Sequence, residues 1–568
     1  MKLKKKKREI VKSTMRIEIF LNPLKIMKGI ICLTMFLFLV SAVVKAQDTT
    51  KRKTINITST FKPALKNTAK LNFNADAPLI DTTHPDLKYS LPTQFLSLQY
   101  QPPGLNPVAL PSDSLKTWNN DNYIKVGAGN IHLPYVLAGL SFGDRKKSFF
   151  NISAEGYSSK GKLPFQENSL LAASISGTIK AANNLEWDGA LGFRADGYYL
   201  YGFQPDTLKF AKSQLQQQFF TFDGRIGLRN TVPSSYGLTY NPNVKISAFG
   251  LNNSPRSSEA DLVFNVPVEK ILNEHFAIDL AFTADITNYT FRGASAINNN
   301  LFIVSPAVVY HSDNIALHLE MTPTWDQSDF HLLPNFRAEY TTDDKRFTLF
   351  ASLDGYYEKG SFKRFAGINP WLWEPTSLQN TRVNEFFGGF KGSLSNHISY
   401  LAKAGFSQSH NMPLFLNDSL DGKNFQVVYE ERLDAFNVHG EISYIEGEDL
   451  NITAGLTLNN YKTKSQYRAW GMIPFEFTTN FRWQPMKDLW LKAELLAFEG
   501  GYFRNLNKLV SSTSGGFDIN AGVEFRITKQ LNLWLQMNNL FNDKYQRWNQ
   551  YSVYGFNILG GVIFSFGR

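Results

Sequence analysis

Residues 276–287 read FAIDLAFTADIT and alternate apolar with polar side chains. Successive side chains of a β-strand point to opposite faces, so this alternation gives the strand one apolar and one polar face. The apolar face carries Phe276, Ile278, Leu280, Phe282, Ala284 and Ile286, against Asp279, Thr283 and Asp285 on the other. A segment of this kind is long enough to cross a bilayer within a barrel wall, which needs roughly ten residues. The stretch predicts one wall strand of a transmembrane β-barrel.

The same alternation recurs from about Asn122 to the C-terminus, for example over residues 220–229 and 517–526. Short turn-rich connectors such as Thr342-Asp343-Asp344 alternate with longer polar ones, among them residues 358–382 and 408–426. This asymmetry is typical of periplasmic turns and extracellular loops. Residues 121–568 therefore predict an all-β, antiparallel transmembrane barrel of about 22 strands, with both chain ends periplasmic.

The N-terminal residues carry a different signal. Residues 29–44, GIICLTMFLFLVSAVV, follow Lys25 and Lys28 and precede a small-residue pattern ending at Ala46. A basic segment, a short apolar run and small residues at the end are the marks of a secretory signal peptide, which we assign to residues 1–46. The alternative is an N-terminal anchor helix, although the run is shorter than a typical membrane span.

Removing residues 1–46 changes the charge of the chain. That segment holds 11 of the 59 basic and 2 of the 49 acidic residues, which leaves 48 and 47 and a net charge of +1 instead of +10. The basic excess therefore does not predict a nucleic-acid partner. The single cysteine, Cys32, lies in the same segment, so the mature chain is expected to contain no disulfide.

Residues 47–120 are polar and rich in proline, including Pro102 and Pro103. Paired prolines favour extended and turn conformations. We interpret these residues as an extended periplasmic or lumenal segment outside the barrel wall. Two alternatives stay open: residues near Leu96 and Tyr100 add a strand or line the lumen, or the segment is a flexible periplasmic tail.

The last predicted strand, residues 554–566, places Phe564 and Phe566 at its end. Glycines at Gly560 and Gly561 suit a curved wall. An aromatic C-terminal strand is typical of outer-membrane insertion signals, and we assign that role to the two phenylalanines.

Residues 533–566, LWLQMNNLFNDKYQRWNQYSVYGFNILGGVIFSF, resemble the C-terminal end of TonB-dependent receptor barrels. The resemblance covers the last two strands, and it implies a barrel of 22 strands. That family carries a plug domain inside the barrel, and residues 47–121 are too few and too irregular to form one. The sequence thus resembles a member of this barrel group that lacks the plug domain.

Catalytic and metal-binding motifs do not stand out. No Ser, His and carboxylate set, phosphate loop, zinc pattern or calcium loop is visible, so we expect neither enzymatic activity nor a cofactor or metal. The pairs His318 with Glu320 and His439 with Glu441 are interpreted as polar lumenal residues. Mixed lumenal charges, such as Asp188 on one predicted strand and Arg225 on the next, are expected to brace the barrel or to bind the N-terminal segment.

The loop 362–376, FKRFAGINPWLWEPT, is unusually apolar, and its candidate contact residues are Phe365, Trp371 and Trp373. It is expected to grip a ligand or partner or to fold over the barrel mouth; alternatively its aromatic residues belong to the interfacial girdle. Other aromatic residues are assigned to the girdle or rim: Tyr356, Tyr357, Trp483, Trp490, Trp534 and Trp548.

Two functions follow as hypotheses. The first is a channel or transport component in the outer membrane of a Gram-negative cell, reached by means of the cleavable signal peptide. The second is a non-transporting barrel subunit that docks partners through its N-terminal segment and loops. The expected partners are outer-membrane lipids, the barrel assembly machinery during insertion, and periplasmic or surface lipoproteins.

Overall fold

The computed structural model describes residues 122–144, 146–252, 256–292 and 294–567. The predicted signal peptide, the segment 47–120 and Cys32 lie outside the described residues. Within the described chain, one antiparallel sheet contains 22 wall strands. The fold prediction is confirmed.

Short turns connect consecutive strands, so each strand pairs antiparallel with the one before it. The strands together form an antiparallel wall. The seventh strand is written as two parts since Pro242, which has no N–H, interrupts it. The strands are β1 Asn122–Gly129, β2 His132–Phe142, β3 Ser148–Lys160, β4 Glu167–Lys180, β5 Leu185–Tyr199, β6 Gln216–Asn230, β7 Leu238–Tyr240 with Asn243–Leu251, β8 Ser257–Ile271, β9 Phe276–Thr290, β10 Ile297–His311, β11 Ile315–Asp326, β12 Asp329–Thr341, β13 Phe347–Glu358, β14 Thr381–Ser393, β15 Ile398–Asn417, β16 Phe425–Glu446, β17 Leu450–Thr463, β18 Phe475–Met486, β19 Leu489–Phe498, β20 Gly516–Arg526, β21 Leu531–Asn538 and β22 Asn557–Phe566.

The first and last strands close the sheet. β1 pairs antiparallel with β22, from Asn122 opposite Phe566 to Gly129 opposite Leu559. At this seam a Cβ atom on Gly127 would collide with the ring of Trp534, so the close approach requires glycine there. The even strand number brings both ends of the sheet to the same rim, as predicted.

The two faces of the wall differ as the alternation predicts. Apolar side chains on the outer face are exposed, for example Leu280 at 50%, Phe222 at 47% and Phe386 at 58%. Their polar neighbours in sequence, such as Thr283 and Asp223, point to the lumen. An exposed apolar exterior around a polar interior suits a wall that is solvated by lipid.

The connectors divide between two rims. At the rim that holds both chain ends, which we call the turn rim, ten connectors of two to seven residues join the strands. The tight connectors expected from the sequence, such as Thr342-Asp343-Asp344, fall on it. At the opposite rim, the loop rim, the connectors reach 22 residues, and the long loops expected from the sequence fall there.

One of those expected loops is wrong over most of its length. Residues 408–417 belong to β15 and residues 425–426 to β16, so the connector is only 418–424. Both strands here are long, 20 and 22 residues, and residues 413–417 are all buried. Conversely, the 11-residue connector 464–474 was not expected.

The loop rim also contains small regular elements. Two short helices occur in the described chain, α1 Lys212–Leu215 and α2 Phe362–Ile368. Two small ribbons pair Tyr502–Arg504 with Val510–Ser512 and Gln546–Trp548 with Tyr551–Ser552. No helix among the described residues has the length and apolar character to span a bilayer.

Candidate functional site

The longest connector, residues 359–380 between β13 and β14, folds inward across the loop rim, and we call it the lid. It begins with α2, whose N-cap Ser361 accepts the backbone N–H of Arg364 through its side chain at 3.1 Å. The helix turns Phe362 and Phe365 away from solvent, and both side chains are fully buried. The apolar loop seen in the sequence therefore packs against the rest of the protein.

The residues that bury the lid come from distant parts of the chain and form what we call the mouth cluster. Aromatic edge-to-face contacts dominate it, with Phe362 lying 5.1 Å from Phe249 between ring centroids. Such pairs add to the free energy gained by burying apolar area. The buried members are Phe219, Phe249, Leu251, Tyr289, Phe362, Phe365, Ala366, Leu372, Leu378, Phe415, Phe425, Trp548 and Tyr551.

An ion pair anchors the first residue of the lid. The Lys359 ammonium lies 2.6 Å from the Asp285 carboxylate of β9, and it donates to the carbonyl of Asn299 at 2.5 Å. Both charged side chains are largely buried, at 15% and 17% exposure. Removing one partner of such a pair leaves a buried charge, which costs about 3–5 kcal/mol.

The start of α2 is fixed by an acidic residue of the wall. The Glu259 carboxylate, on β8, accepts the backbone N–H groups of Phe362 at 2.5 Å and Lys363 at 3.2 Å. Farther into the lumen, the Lys363 ammonium pairs with Asp223 and donates to the hydroxyl of Ser247 at 2.9 Å. The lid thus contacts β6, β7 and β8 as well as β9.

The second half of the lid is held at Glu374, which is buried. Its carboxylate lies 3.0 Å from the guanidinium of Arg292. The same guanidinium stands over the ring of Trp373 at 4.1 Å, and the Tyr289 hydroxyl donates to the carbonyl of Pro375 at 2.9 Å. Arg292 therefore binds the lid by both charge and aromatic contact.

Two neighbouring loops complete the cover. The backbone N–H of Trp373 donates to the carbonyl of Phe425 at 2.7 Å, and that of Phe425 to the carbonyl of Trp371 at 3.1 Å. The Trp371 ring stacks on Tyr551 of the connector 539–556 with centroids 4.0 Å apart. Burial raises the pKa of Tyr551, so it stays a neutral phenol.

Arg547 joins the connector 539–556 to the connector 464–474. Its guanidinium donates to the carbonyl of Gly471 at 2.8 Å and stands over the ring of Trp548 at 4.4 Å. Burial lowers the pKa of Arg547 to about 10, and the group remains charged at neutral pH. The lid therefore belongs to a cohesive layer of loops.

The structure places the three candidate contact residues differently. Phe365 is fully buried in the mouth cluster, Trp371 is half-buried, and Trp373 is 37% exposed beside Arg292. They do not meet in one pocket. Of the two arrangements expected from the sequence, the loop adopts the one that covers the mouth, and a contact with a ligand or partner stays a prediction.

Two aromatic residues assigned to the girdle or rim lie elsewhere. Trp548 is 5% exposed and packs in the mouth cluster. Trp534 is 6% exposed and faces the lumen under the ammonium of Lys125, at 4.0 Å. Their strand positions alone did not reveal the loops and side chains that cover them.

The mixed charges of the lumen brace the wall, as expected. Arg225 on β6 pairs with Asp188 on β5 at 3.1 Å, and Arg229 donates to Glu186 through Nε at 2.8 Å. His318 lies 2.9 Å from Glu320, which also accepts two further hydrogen bonds. His439 bonds Thr457 at 2.9 Å instead of Glu441. No group of three potential metal ligands is present among the residues the structure describes.

Sequence reasoning missed the residues that receive the lid, chiefly Glu259, Asp285 and Arg292. Each is one polar residue among many in an alternating strand or a short connector. Only the unusual length and apolar composition of the lid indicated that it packs against another part of the protein. The partners lie some 60 to 100 residues away in sequence, so spacing could not identify them.

Comparison with known proteins gives a fold-level likeness. The siderophore receptor PirA of Acinetobacter baumannii superimposes with a TM-score of 0.62 at 10% identity, covering 80% of this chain and 81% of that one. The pyoverdine receptor FpvA of Pseudomonas aeruginosa PAO1, bound to pyoverdine, gives 0.61 at 10% identity, covering 80% and 79%. The FrpB iron transporter of Neisseria meningitidis gives 0.60 at 10% identity, covering 80% and 83%.

No protein-family model matches the chain, and no curated protein matches it. At 10% identity the likeness establishes the 22-strand barrel, and these neighbours are transport receptors instead of enzymes.

Proposed function

We propose that the chain is an outer-membrane transport component, a barrel of the TonB-dependent-receptor type without a plug domain, whose mouth is closed by the lid. The observation that carries this proposal is the lid itself, bound across the loop rim of a closed barrel with a polar lumen. A wall of this size encloses a wide interior, and such barrels are used as channels or plugged transporters.

The proposed orientation puts the turn rim in the periplasm and the loop rim outside the cell. Short periplasmic turns and longer outer loops are the usual arrangement in such barrels. The predicted signal peptide would deliver the chain to this membrane, where Phe564 and Phe566 would serve as the insertion signal. These two residues lie on β22 and stack with centroids 5.8 Å apart.

The transport neighbours support a role in moving a solute, and the contacts of the lid support gating. Its anchors are charged groups at both ends, Lys359 with Asp285 and Arg292 with Glu374. The attraction within such pairs is strong in a water-poor site and is weakened when water or the polar groups of a solute compete for them. The lid is therefore proposed to open when a solute binds at the mouth.

Planar-bilayer conductance tests the proposal. We would compare the full chain, a deletion of residues 48–115, a lid variant carrying Lys359→Met and Arg292→Met, and the combination. The exposed pair Lys464 with Glu431 supplies the control, Lys464→Met, since its side chains are 58% and 61% exposed. We expect the lid variant to conduct more than the full chain and the control to behave like the full chain.

A barrel that conducts only after residues 48–115 are deleted would assign the closure to the N-terminal segment instead of the lid. If no form conducts and the native protein co-purifies in stoichiometric amounts with other proteins, transport is refuted. A gain in the Lys464→Met control would show that the conductance reflects general destabilisation of the loops.

Apolar side chains at the loop rim favour a second candidate function, a docking subunit of an outer-membrane assembly. Leu420, Tyr467 and Leu509 are 84%, 71% and 63% exposed, respectively. Exposed apolar groups mark contacts with partners when they form one continuous patch, and these three would have to do so for the loop rim to dock a partner. Co-purification of a Trp371→Ala and Trp373→Ala variant tests whether the lid takes part. An unchanged set of partners would exclude the lid from docking.

A further inference from the structure

A series of aromatic side chains lines one side of the lumen, and we call it the aromatic wall. Its members come from β21, from β1, β2 and β3, which follow it on the other side of β22, from β5, and from the connector 539–556. They are Trp534, Tyr123, Tyr135, His132, Tyr157, Tyr198 and Tyr554. None of them was singled out for a lumenal role by sequence reasoning.

Alternation along the strands establishes that these rings face inward. Ile124 and Val136, which neighbour Tyr123 and Tyr135 in sequence, are each 40% exposed on the apolar exterior. Phe193 has the same outward direction on β5 and is 39% exposed. Tyr123 and Tyr135 are one position from these outward residues, and Tyr198 is five positions from Phe193. Since side chains alternate between the two faces, all three tyrosines point to the lumen.

The inner part of the wall consists of two groups of contacting rings, which meet at paired positions of β2 and β3. Tyr135 meets the edge of Trp534 with centroids 5.7 Å apart, and its pairing partner on β3 is Tyr157. Tyr157 stacks on His132 at 5.8 Å, and His132 meets Tyr554 at 6.4 Å. Trp534 is buried, and the Lys125 ammonium stands over its ring and over that of Tyr135. The other rings are half-buried, so each keeps part of its surface exposed.

The outer part of the wall ends at the lid. Tyr198 and Tyr201 lie 6.4 Å and 5.9 Å from the ring of Trp371. Tyr201 also meets Tyr551 at 4.8 Å. The proposed gate therefore covers the end of the aromatic wall, and movement of the lid would expose it.

The polar groups along the wall balance in charge. Arg194 donates two hydrogen bonds of 2.7 Å to Asp196, beside Tyr198. Lys125 and Glu155 face the lumen next to Tyr135. Lys492 and Glu524 also lie close to Lys125. Three cations and three carboxylates leave no net charge that would select a charged solute.

We infer that the aromatic wall binds a neutral oligosaccharide and guides it along the lumen. A pyranose ring has an apolar C–H face that packs on phenol or indole rings, while its hydroxyls bond to groups of both signs at the ring edges. Half-exposed aromatic faces with paired charges between them supply both kinds of contact. This inference rests on the proposed transport function, and it adds the class of solute.

Equilibrium binding to the full chain in detergent tests it, with maltohexaose and cellohexaose as probes and calorimetry as the readout. At least one probe is expected to bind. The variant Tyr157→Ala with Tyr198→Ala is expected to weaken that binding by roughly tenfold or more. Tyr198→Phe, which keeps the ring, should retain most of the affinity, and Phe193→Ala, on the outer face of the same strand, should leave it unchanged.

Gel migration of unheated samples shows whether each variant still forms the barrel. Failure of both probes to bind at millimolar concentration, or equal binding by folded Tyr157→Ala with Tyr198→Ala, would overturn the inference. Binding that appears only after deletion of residues 48–115 would assign the wall to the N-terminal segment and also overturn it. If the lid variant conducts but the chain binds neither probe, this inference alone is refuted. If the chain binds a probe but no form conducts, including the lid variant and the deletion of residues 48–115, transport is refuted.

Discussion

The two rims of the barrel are built from the same chain by different means. At the turn rim, each connector is satisfied by its own neighbours: Asp144 accepts the backbone N–H groups of Lys146, Lys147 and Ser148. At the loop rim, the lid is held by residues of β6, β7, β8 and β9 and by two other loops. Local contacts reverse a strand, whereas long-range contacts build a surface that can move as a unit.

This difference indicates where function resides. A turn whose hydrogen bonds are local has no second arrangement to adopt. The lid has discrete anchors, and an opened position is reached by breaking a few of them. The predictions that follow test this contrast between the rims.

The largest effect is expected from the outer anchor of the lid. Arg292→Ala leaves the Glu374 carboxylate buried without its partner, which costs about 3–5 kcal/mol. We expect hydrogen exchange of the lid amides to speed up by roughly 100-fold or more, since about 1.4 kcal/mol corresponds to a factor of ten. Exchange at the turn rim should not change. Equal acceleration at both rims would show that the lid is not a separate unit.

The next largest effect is expected from a charge placed on the outer face of the barrel wall. Leu280→Arg places a cation on the outer face of β9 and is expected to lower the free energy of unfolding in lipid by about 2–4 kcal/mol. Thr283→Arg, on the lumenal face of the same strand, should cost less. Denaturant unfolding in vesicles measures both variants. A larger loss for Thr283→Arg would contradict the assignment of the faces.

A smaller effect is expected inside the loop layer. Trp371 and Tyr551 stack at 4.0 Å, and such a pair contributes about 0.5–1.5 kcal/mol beyond the area it buries. A double-mutant cycle with Trp371→Ala and Tyr551→Ala, read by lid exchange, should give a coupling in this range. Additive effects would show that the stacking does not help to hold the lid.

The smallest effect is expected at the turn rim and depends on pH. Backbone N–H groups, first that of Ser148, hold the pKa of Asp144 at about 2, below its usual 3.8. The stabilisation is complete above the usual pKa and is lost as the pH falls through about 2. The protection factor of the Ser148 amide, which corrects for the intrinsic pH dependence of exchange, should therefore decrease between pH 4 and 2. Asp144→Ala should abolish that decrease, and the protection of the lid amides should not change with it.

Much of the wall followed from the sequence because alternation is a local property. The two faces of residues 276–287, the tight connectors and the even number of strands were all predicted, and they agree with the described structure. The prediction of a loop over residues 408–426 was wrong, because β15 and β16 extend through most of these residues. The polar residues at the start of this segment resemble those of a loop. Strand length beyond the membrane is set by what the strands pack against.

The site was less accessible to sequence reasoning. Phe365 and Trp371 were identified as candidates, and composition could not show that one is buried and the other caps the aromatic wall. The aromatic wall itself combines residues from Tyr123 to Tyr554, spread over most of the chain. Their common face appears only when β1 and β22 close the sheet.

The sequence by itself determined the barrel, its two faces and the even strand number, because a period of two residues assigns every side chain to lipid or lumen without any knowledge of neighbours. Only the tertiary structure decided which residues receive the lid and which rings share one side of the lumen. Closing the sheet brings distant strands and loops together, and the contacts among them depend on that geometry instead of on spacing along the chain.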